Sequence, residues 1–297
     1  MEQSKNFRGV VTELITPFKK DGSVDYELLK GEVEYQIKND IVALFTNGLA
    51  SEALSLTTDE LIKTTEVVVN TANGRALTMG NIACQTLQEA MKVLKGYEAA
   101  GVDAICIEQP CVYAFPQSAL IDYFCELANA TKLPVGVYNA PQTSNTLTPD
   151  SVAQIFNNSP NVKYYKESTI DFVHIQNTMR LVEKDRMEFT NGSDATTFSV
   201  MQLGGIGVVS LISAVFPKEV KQLTDAMEDG DFEKARKAQD RILMIREALK
   251  TGPFVAGYKY ASELINVPLG YMRKPLSELN EQEKEKIKTN LKNLNLI

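Results

Sequence analysis

The chain has one histidine, His174, in 297 residues. A His-rich metal centre cannot be assembled from it, and a Ser-His-Asp triad would have only one place to start. His174 falls at the start of a predicted helix, where a surface or supporting role is expected. The four cysteines, Cys84, Cys106, Cys111 and Cys125, form no C-x-x-C pair and have no ligand-like spacing. They read as free thiols of a reducing compartment. No glycine-rich phosphate loop is present. Basic residues are in deficit: 31 Lys and Arg against 38 Asp and Glu give a net charge of −7, with a pI near 5.1. That field repels nucleic acid and anionic membrane surfaces, but leaves a small anionic substrate open, since such a ligand reads only its local surroundings. Long apolar runs are also missing. The longest, Gly204 to Phe216, is too short and glycine-rich to span a bilayer. Met1 to Arg8 is polar and lacks the apolar stretch of a secretory signal. A cytoplasmic location is expected, with chemistry drawn from residues other than histidine or cysteine.

What is present is a regular march of short β-branched or aromatic runs: Val10–Leu14, Ile41–Thr46, Ala76–Gly80, Asp103–Ile107, Pro134–Tyr138, Val162–Lys166, Met187–Thr190 and Ile206–Ser210. Between most of them lie stretches of helical spacing, such as Leu29, Val33 and Ile37. Thr57 with Glu60 forms a capping-box signature, and Thr148 precedes Pro149 at a favourable first-turn position. Strand then helix, repeated eight times, predicts parallel βαβ units. An open doubly wound sheet usually has fewer strands and a glycine-rich first turn, which is absent. The fold class read from this pattern is α/β, a (β/α)8 TIM barrel over residues 1–216. A helical extension follows over 217–297, packed on the barrel as one structural unit. Phe232, Ala235, Ala238, Ile242, Ile245 and Leu249 make one stripe of a long helix there. Asn280 with Glu283 caps a last helix bearing Ile287, Leu291 and Leu294.

Function in such a barrel collects at the C-terminal ends of the strands. The polar residues placed there are Thr46, Asn47, Glu108, Gln109, Tyr138, Asn139, Lys166 and Glu167, followed by Asn191, Gly192, Ser193 and Asp194. Alternation puts Val162, Tyr164 and Lys166 on one face. If that face is the interior, burial is expected to lower the pKa of the ammonium and yield a neutral amine able to attack a carbonyl. A rim lysine paired with Glu167 or Asp194 is the alternative. Tyr138, one strand away, is either a buried structural phenol or a proton donor and acceptor.

These residues sit among several short motifs. They are Thr16-Pro17-Phe18; Gly48 with Glu52, Leu56 and Glu60; Gly101-Val102-Asp103-Ala104; and Val137-Tyr138-Asn139-Ala140-Pro141. Lys166-Glu167-Ser168, Asn191-Gly192-Ser193-Asp194 and Gly207-Val208-Val209-Ser210 follow. In this order and spacing the chain, from about Gly9 to its C-terminus, resembles the dihydrodipicolinate synthase/N-acetylneuraminate lyase family of class I aldolase barrels. The resemblance implies that Lys166 forms an imine with pyruvate or another 2-keto acid, and that Tyr138 shuttles protons at that carbon. It implies a substrate pocket at Ala50, Ser51, Tyr113 and the backbone of Val209. The lysine imine is itself the electron sink, so neither a metal nor an organic cofactor is expected. The expected partners are a small 2-keto acid and further copies of the chain, as a dimer or tetramer.

The chain also departs from that family. The usual Gly-Thr-Thr-Gly-Glu is Gly48-Leu49-Ala50-Ser51-Glu52, so the two threonine hydroxyls that join the proton relay are missing and Ser51 adds one. The usual Pro-Tyr-Tyr is Pro110-Cys111-Val112, with Tyr113 one position later. The arginine of the synthases is Thr143, and the acidic residue of the sialic acid lyases is Ala195. The reading is an imine-forming lyase or aldolase with an unidentified aldehyde partner. Three alternatives stand beside it: the synthase proper, an impaired member kept as a 2-keto-acid-binding protein, and a phosphate-binding barrel using Asn191-Gly192-Ser193 and Gly204-Gly205.

Overall fold

The computed structural model describes residues 6–297; residues 1–5 of the polar N-terminal stretch lie outside the described residues. Eight strands, β1 (Gly9–Glu13), β2 (Ala43–Thr46), β3 (Leu77–Ile82), β4 (Ala104–Glu108), β5 (Val135–Asn139), β6 (Val162–Glu167), β7 (Glu188–Asn191) and β8 (Gly207–Ser210), pair in parallel and close, β8 on β1, into a barrel. Each strand is followed by a helix: α1 (Tyr26–Lys38), α2 (Thr58–Ala72), α3 (Leu87–Ala100), α4 (Gln117–Asn129), α5 (Pro149–Asn158), α6 (Phe172–Leu181), α7 (Thr197–Gln202) and α8 (Pro217–Glu228). The predicted caps form. Thr57 and Glu60 satisfy each other's orphan donors at the start of α2, and Thr148 accepts from Ser151 N ahead of Pro149 at the start of α5.

Three apolar layers organise the molecule. The barrel interior is filled by Val11, Ala43, Phe45, Met79, Ala104, Cys106, Tyr138 and Val209. Between barrel and helices run two larger clusters, one of which joins Val10, Leu44 and Val68 to the C-terminal helices. Those helices are α9 (Phe232–Leu249), α10 (Ala256–Leu264) and α11 (Glu281–Asn293). Ala235, Ile242, Ile245 and Leu249 of the predicted stripe are buried, while Phe232, in the first turn beside its Asp231 cap, is exposed. The eighth helix, α8, packs on β1, so the barrel's ring runs on to Glu228 and the extension begins at Phe232. Arg273 fastens the extension to the barrel top. Its guanidinium bonds both carboxylate oxygens of Glu60 at 2.6 and 2.8 Å, and its N–H donates to Glu52 at 3.0 Å. No helix among the described residues is long and apolar enough to cross a membrane.

One local irregularity corrects the reading of β6. Val135 pairs with Val162 but the next residue, Gly136, pairs with Tyr164, leaving Lys163 as a bulge. Val162 therefore packs with Tyr165 on the helix side, whereas Tyr164 packs against the interior layer that contains Tyr138. Alternation resumes after the bulge, and Lys166 enters the barrel.

Candidate active site

Four of the buried polar side chains at the C-terminal mouth of the interior form one cluster. Lys166 and Tyr138 come from the adjacent strands β6 and β5, where they are paired in register. Glu13 and Glu108 are the last residues of β1 and β4. Each continues an inward-facing series, Val11–Glu13 and Ala104–Cys106–Glu108. All four are nearly inaccessible, between 1% and 5% exposed. The Lys166 ammonium lies 3.9 Å from the centre of the Tyr138 ring and 4.1 Å from that of Phe45, in cation–π contact with both. Its hydrogen-bonded partner is Glu13, with Nζ to Oε2 at 3.0 Å.

That pair overturns two expectations. Lys166 is not paired with Glu167 or Asp194. Glu167 faces the helices and accepts from Asn139 Nδ2 at 2.8 Å and Thr169 N at 2.8 Å, with His174 Nε2 at 3.1 Å. Asp194 accepts from the backbone N–H groups of Leu211 and Ile212 and so braces the turn after β8. Nor is the lysine's pKa lowered. Burial alone would push it down, but Glu13, Tyr138 and Cys106 oppose that together and hold it above the usual lysine value. Burial is the main cause in the neighbours. It pushes Tyr138 up to about 12 against the pull of Lys166, and Glu108 up to about 8 against its bond from Asn81 and the Lys166 charge. Glu108 is thus an un-ionised acid near neutral pH.

The remaining predicted residues sort by position. Ala50 lies in the turn after β2, and its N–H donates to Glu13 Oε1 at 2.9 Å. The Ser51 hydroxyl donates to Gly48 O at 2.7 Å and is committed within that turn. Gly48 has no room for a side chain, since a Cβ would stand 2.2 Å from Glu13 Oε1. Val209, on β8, lines the interior beside Tyr138 and Phe45. Tyr113 is 73% exposed and Val112 61%, so neither joins the Lys166 cluster of its own chain. Tyr138 OH instead receives Gln142 Nε2 and Ser168 Oγ, each at 3.4 Å. Thr46, Asn47, Gln109, Asn139 and Asn191 bond loops and helices around the rim; Asn47 Nδ2, for example, reaches Leu61 O, Thr65 Oγ1 and Tyr97 OH.

The phosphate-binding alternative fails on topology. Gly204 and Gly205 enter β8 from the barrel's N-terminal end, opposite Asn191-Gly192-Ser193. No cluster among the described residues could hold a metal ion. Sequence reasoning missed Glu13. The signal was its even spacing from Val11, but a carboxylate in a strand reads as solvent-facing until the barrel closes on a lysine 153 positions away.

Above the cluster lies an open cavity of about 610 Å³, lined by Leu49, Cys111, Gln142, Thr143, Phe254 and Leu276 among others, with no basic side chain in its wall. The arrangement offers a buried amine bonded to the Glu13 carboxylate, the Glu108 carboxyl in the same cluster, and a phenol ring over which the amine rests. Such a set can condense with a carbonyl and move protons about it.

Known proteins share this architecture. A curated 4-hydroxy-tetrahydrodipicolinate synthase of Methanococcus vannielii is 30% identical over 98% of this chain and 99% of its own length. The protein of that name from Bacillus subtilis is 30% identical over 97% of this chain and the whole of its own. The solved dihydrodipicolinate synthase of Aquifex aeolicus superposes with a TM-score of 0.93 at 28% identity, covering 98% of this chain and 99% of its own. A prophage protein of the dihydrodipicolinic acid synthase family from E. coli K12, solved in complex with pyruvate, does so with a TM-score of 0.93 at 26% identity and the same coverage. The family model for the dihydrodipicolinate synthetase family matches residues 6–294. The chain belongs to the dihydrodipicolinate synthetase family, whose members are lyases of the class I aldolase type.

Proposed function

We propose that this chain is a Schiff-base-forming lyase or aldolase in which Lys166 condenses with pyruvate or another 2-keto acid. The observation that carries the reading is the Lys166 amine, buried at the end of β6 and resting 3.9 Å above the Tyr138 ring. The pyruvate bound by the E. coli relative supports the acid. In this reading Tyr138 transfers protons at the reacting carbon. The backbones of Ala50, Ser51 and Val209 receive the acid's carboxylate. The aldehyde partner arrives through the cavity above.

The curated relatives are named 4-hydroxy-tetrahydrodipicolinate synthase, which supports that activity as a second reading. Against it, the cavity wall has no cation to hold an anionic aldehyde. Thr143 Oγ1 is also engaged with Ala140 O at 2.9 Å and Asn145 O at 3.0 Å. Four unpaired thiols support a cytoplasmic protein. The exposed Val112 and Tyr113 support a homo-oligomer in which Tyr113 completes a neighbour's site.

Pyruvate incubated with the protein in deuterium oxide tests the reading. Imine and enamine formation exchanges the methyl protons, read by proton NMR, and Lys166→Ala abolishes the exchange. Unchanged exchange in Lys166→Ala contradicts the assignment.

A further inference from the structure

Glu13 bridges two groups that the proposed reaction needs free. One oxygen accepts from Lys166 Nζ at 3.0 Å, and the other from Ala50 N at 2.9 Å, the N–H expected to receive the substrate's carboxylate. Gly48 is bare where the carboxylate passes. The groups that face it are Lys166 from β6, Tyr138 from β5, and Cys106 and Glu108 from β4. Glu108 is bonded by Asn81 at 3.1 Å, and Tyr138 by neutral donors, which leaves Glu13 as the hydrogen-bonded acceptor for the lysine's proton.

We propose that Glu13 is a catalytic acid–base of this site: it takes a proton from Lys166 and returns it to the hydroxyl that leaves as water. The proposal rests on Lys166 being the imine-forming residue. Transfer of one proton from Nζ to the Glu13 carboxylate produces a neutral amine and a carboxylic acid. The acid is a weaker acceptor than the carboxylate, so its hold on Ala50 N–H relaxes and the substrate's carboxylate can take that place. The nitrogen lone pair forms the C–N bond as the carbonyl π pair moves to oxygen, and a proton passes from nitrogen to that oxygen to complete the carbinolamine. Glu13 then protonates the hydroxyl, the C–O pair leaves with water, and the nitrogen lone pair closes the C=N bond. A protonated imine remains beside a Glu13 carboxylate, with the charges of the starting pair restored and the two other protons of the ammonium carried off in the water. Glu13 thereby supplies the proton traffic of the threonine hydroxyls absent at Leu49 and Ala50.

The test is the rate at which pyruvate and cyanoborohydride form the Lys166 adduct, followed by mass spectrometry between pH 6 and 8. General acid–base groups contribute about 10²–10⁴-fold. In Glu13→Gln, trapping is therefore expected to fall by about 100-fold at neutral pH. The deficit should change with pH, because solvent acid and hydroxide must replace the missing group in its two steps. Formate or acetate should restore the rate in Glu13→Ala, and Glu13→Asp should retain part of it. A purely electrostatic Glu13 predicts the opposite, since its removal lets burial free the amine and trapping becomes faster. Equal or faster trapping in Glu13→Gln, a loss indifferent to both pH and added formate, or the same loss in Glu108→Gln instead, overturns the proposal. If the unsubstituted chain gives no adduct on Lys166, the imine reading itself falls and this proposal with it.

Discussion

Two opposing effects meet at Lys166, and their balance decides how the amine becomes reactive. Burial disfavours the ammonium, while Glu13 and the Tyr138 face favour it, and the charged form wins at rest. The amine is therefore released by a proton transfer rather than held neutral in advance. Tyr138 stays protonated across the physiological range, since burial has pushed it up to about 12. It can lend its hydroxyl proton, with Gln142 and Ser168 within 3.4 Å to steady the oxygen. Tyr138→Phe is expected to slow methyl exchange and aldol turnover by about 10²–10⁴-fold, while a Lys166 adduct still forms on prolonged trapping. NMR exchange rates beside adduct yields check this. A yield lost in step with the rate would make Tyr138 a packing residue.

At the scale of the elements, the eight strands were legible because each is a short apolar run bounded by turn residues, and the helices because their caps are explicit. The Thr57–Glu60 box is one such cap, and its loss has a defined cost: Thr57→Ala should lower stability by about 1 kcal/mol with adduct formation unchanged. Chemical denaturation reads the first and mass spectrometry the second. Less legible was whatever depended on closure. The Lys163 bulge turns Val162 to the helix side, and nothing in a six-residue run marks which residue is skipped. Glu13 lies inside a predicted strand, yet its role emerges only when β1 is carried round to face β6. Lys166 and Tyr138 could be found because their residue types stand out at strand ends. The commitment of the Ser51 hydroxyl to Gly48 depends on the tight turn after β2, and Tyr113 faces solvent in the single chain.

Across the whole molecule, barrel and extension share one apolar cluster and the Arg273–Glu60 clasp. We propose that barrel and extension unfold as one unit, so calorimetry should show a single transition; two resolved transitions would separate the extension. Buried carboxyls give that stability a pH dependence of definite sign. Burial raises Glu32 from 4.5 to about 8, its bond from Ile15 N at 3.0 Å only partly offsetting the effect. The folded chain keeps this proton where the unfolded chain releases it, so stability falls as pH rises from about 4.5 to about 8 and then levels off. Glu32→Gln should flatten that slope. Glu60 acts in the opposite sense. Arg273 holds it down at about 2, so its contribution is full above 4.5 and is lost as pH falls toward 2. Denaturation midpoints from pH 3 to 9 separate the two; a midpoint rising between pH 6 and 8, equally in both proteins, would contradict the Glu32 assignment. One covalent bond, between Lys166 and the keto acid, is decisive for this site. After pyruvate and borohydride, peptide mass spectrometry should find one reduced pyruvyl adduct per chain, on the peptide containing Lys166, and none in Lys166→Ala. An unmodified Lys166 at saturating pyruvate, or an adduct on another lysine, would contradict it.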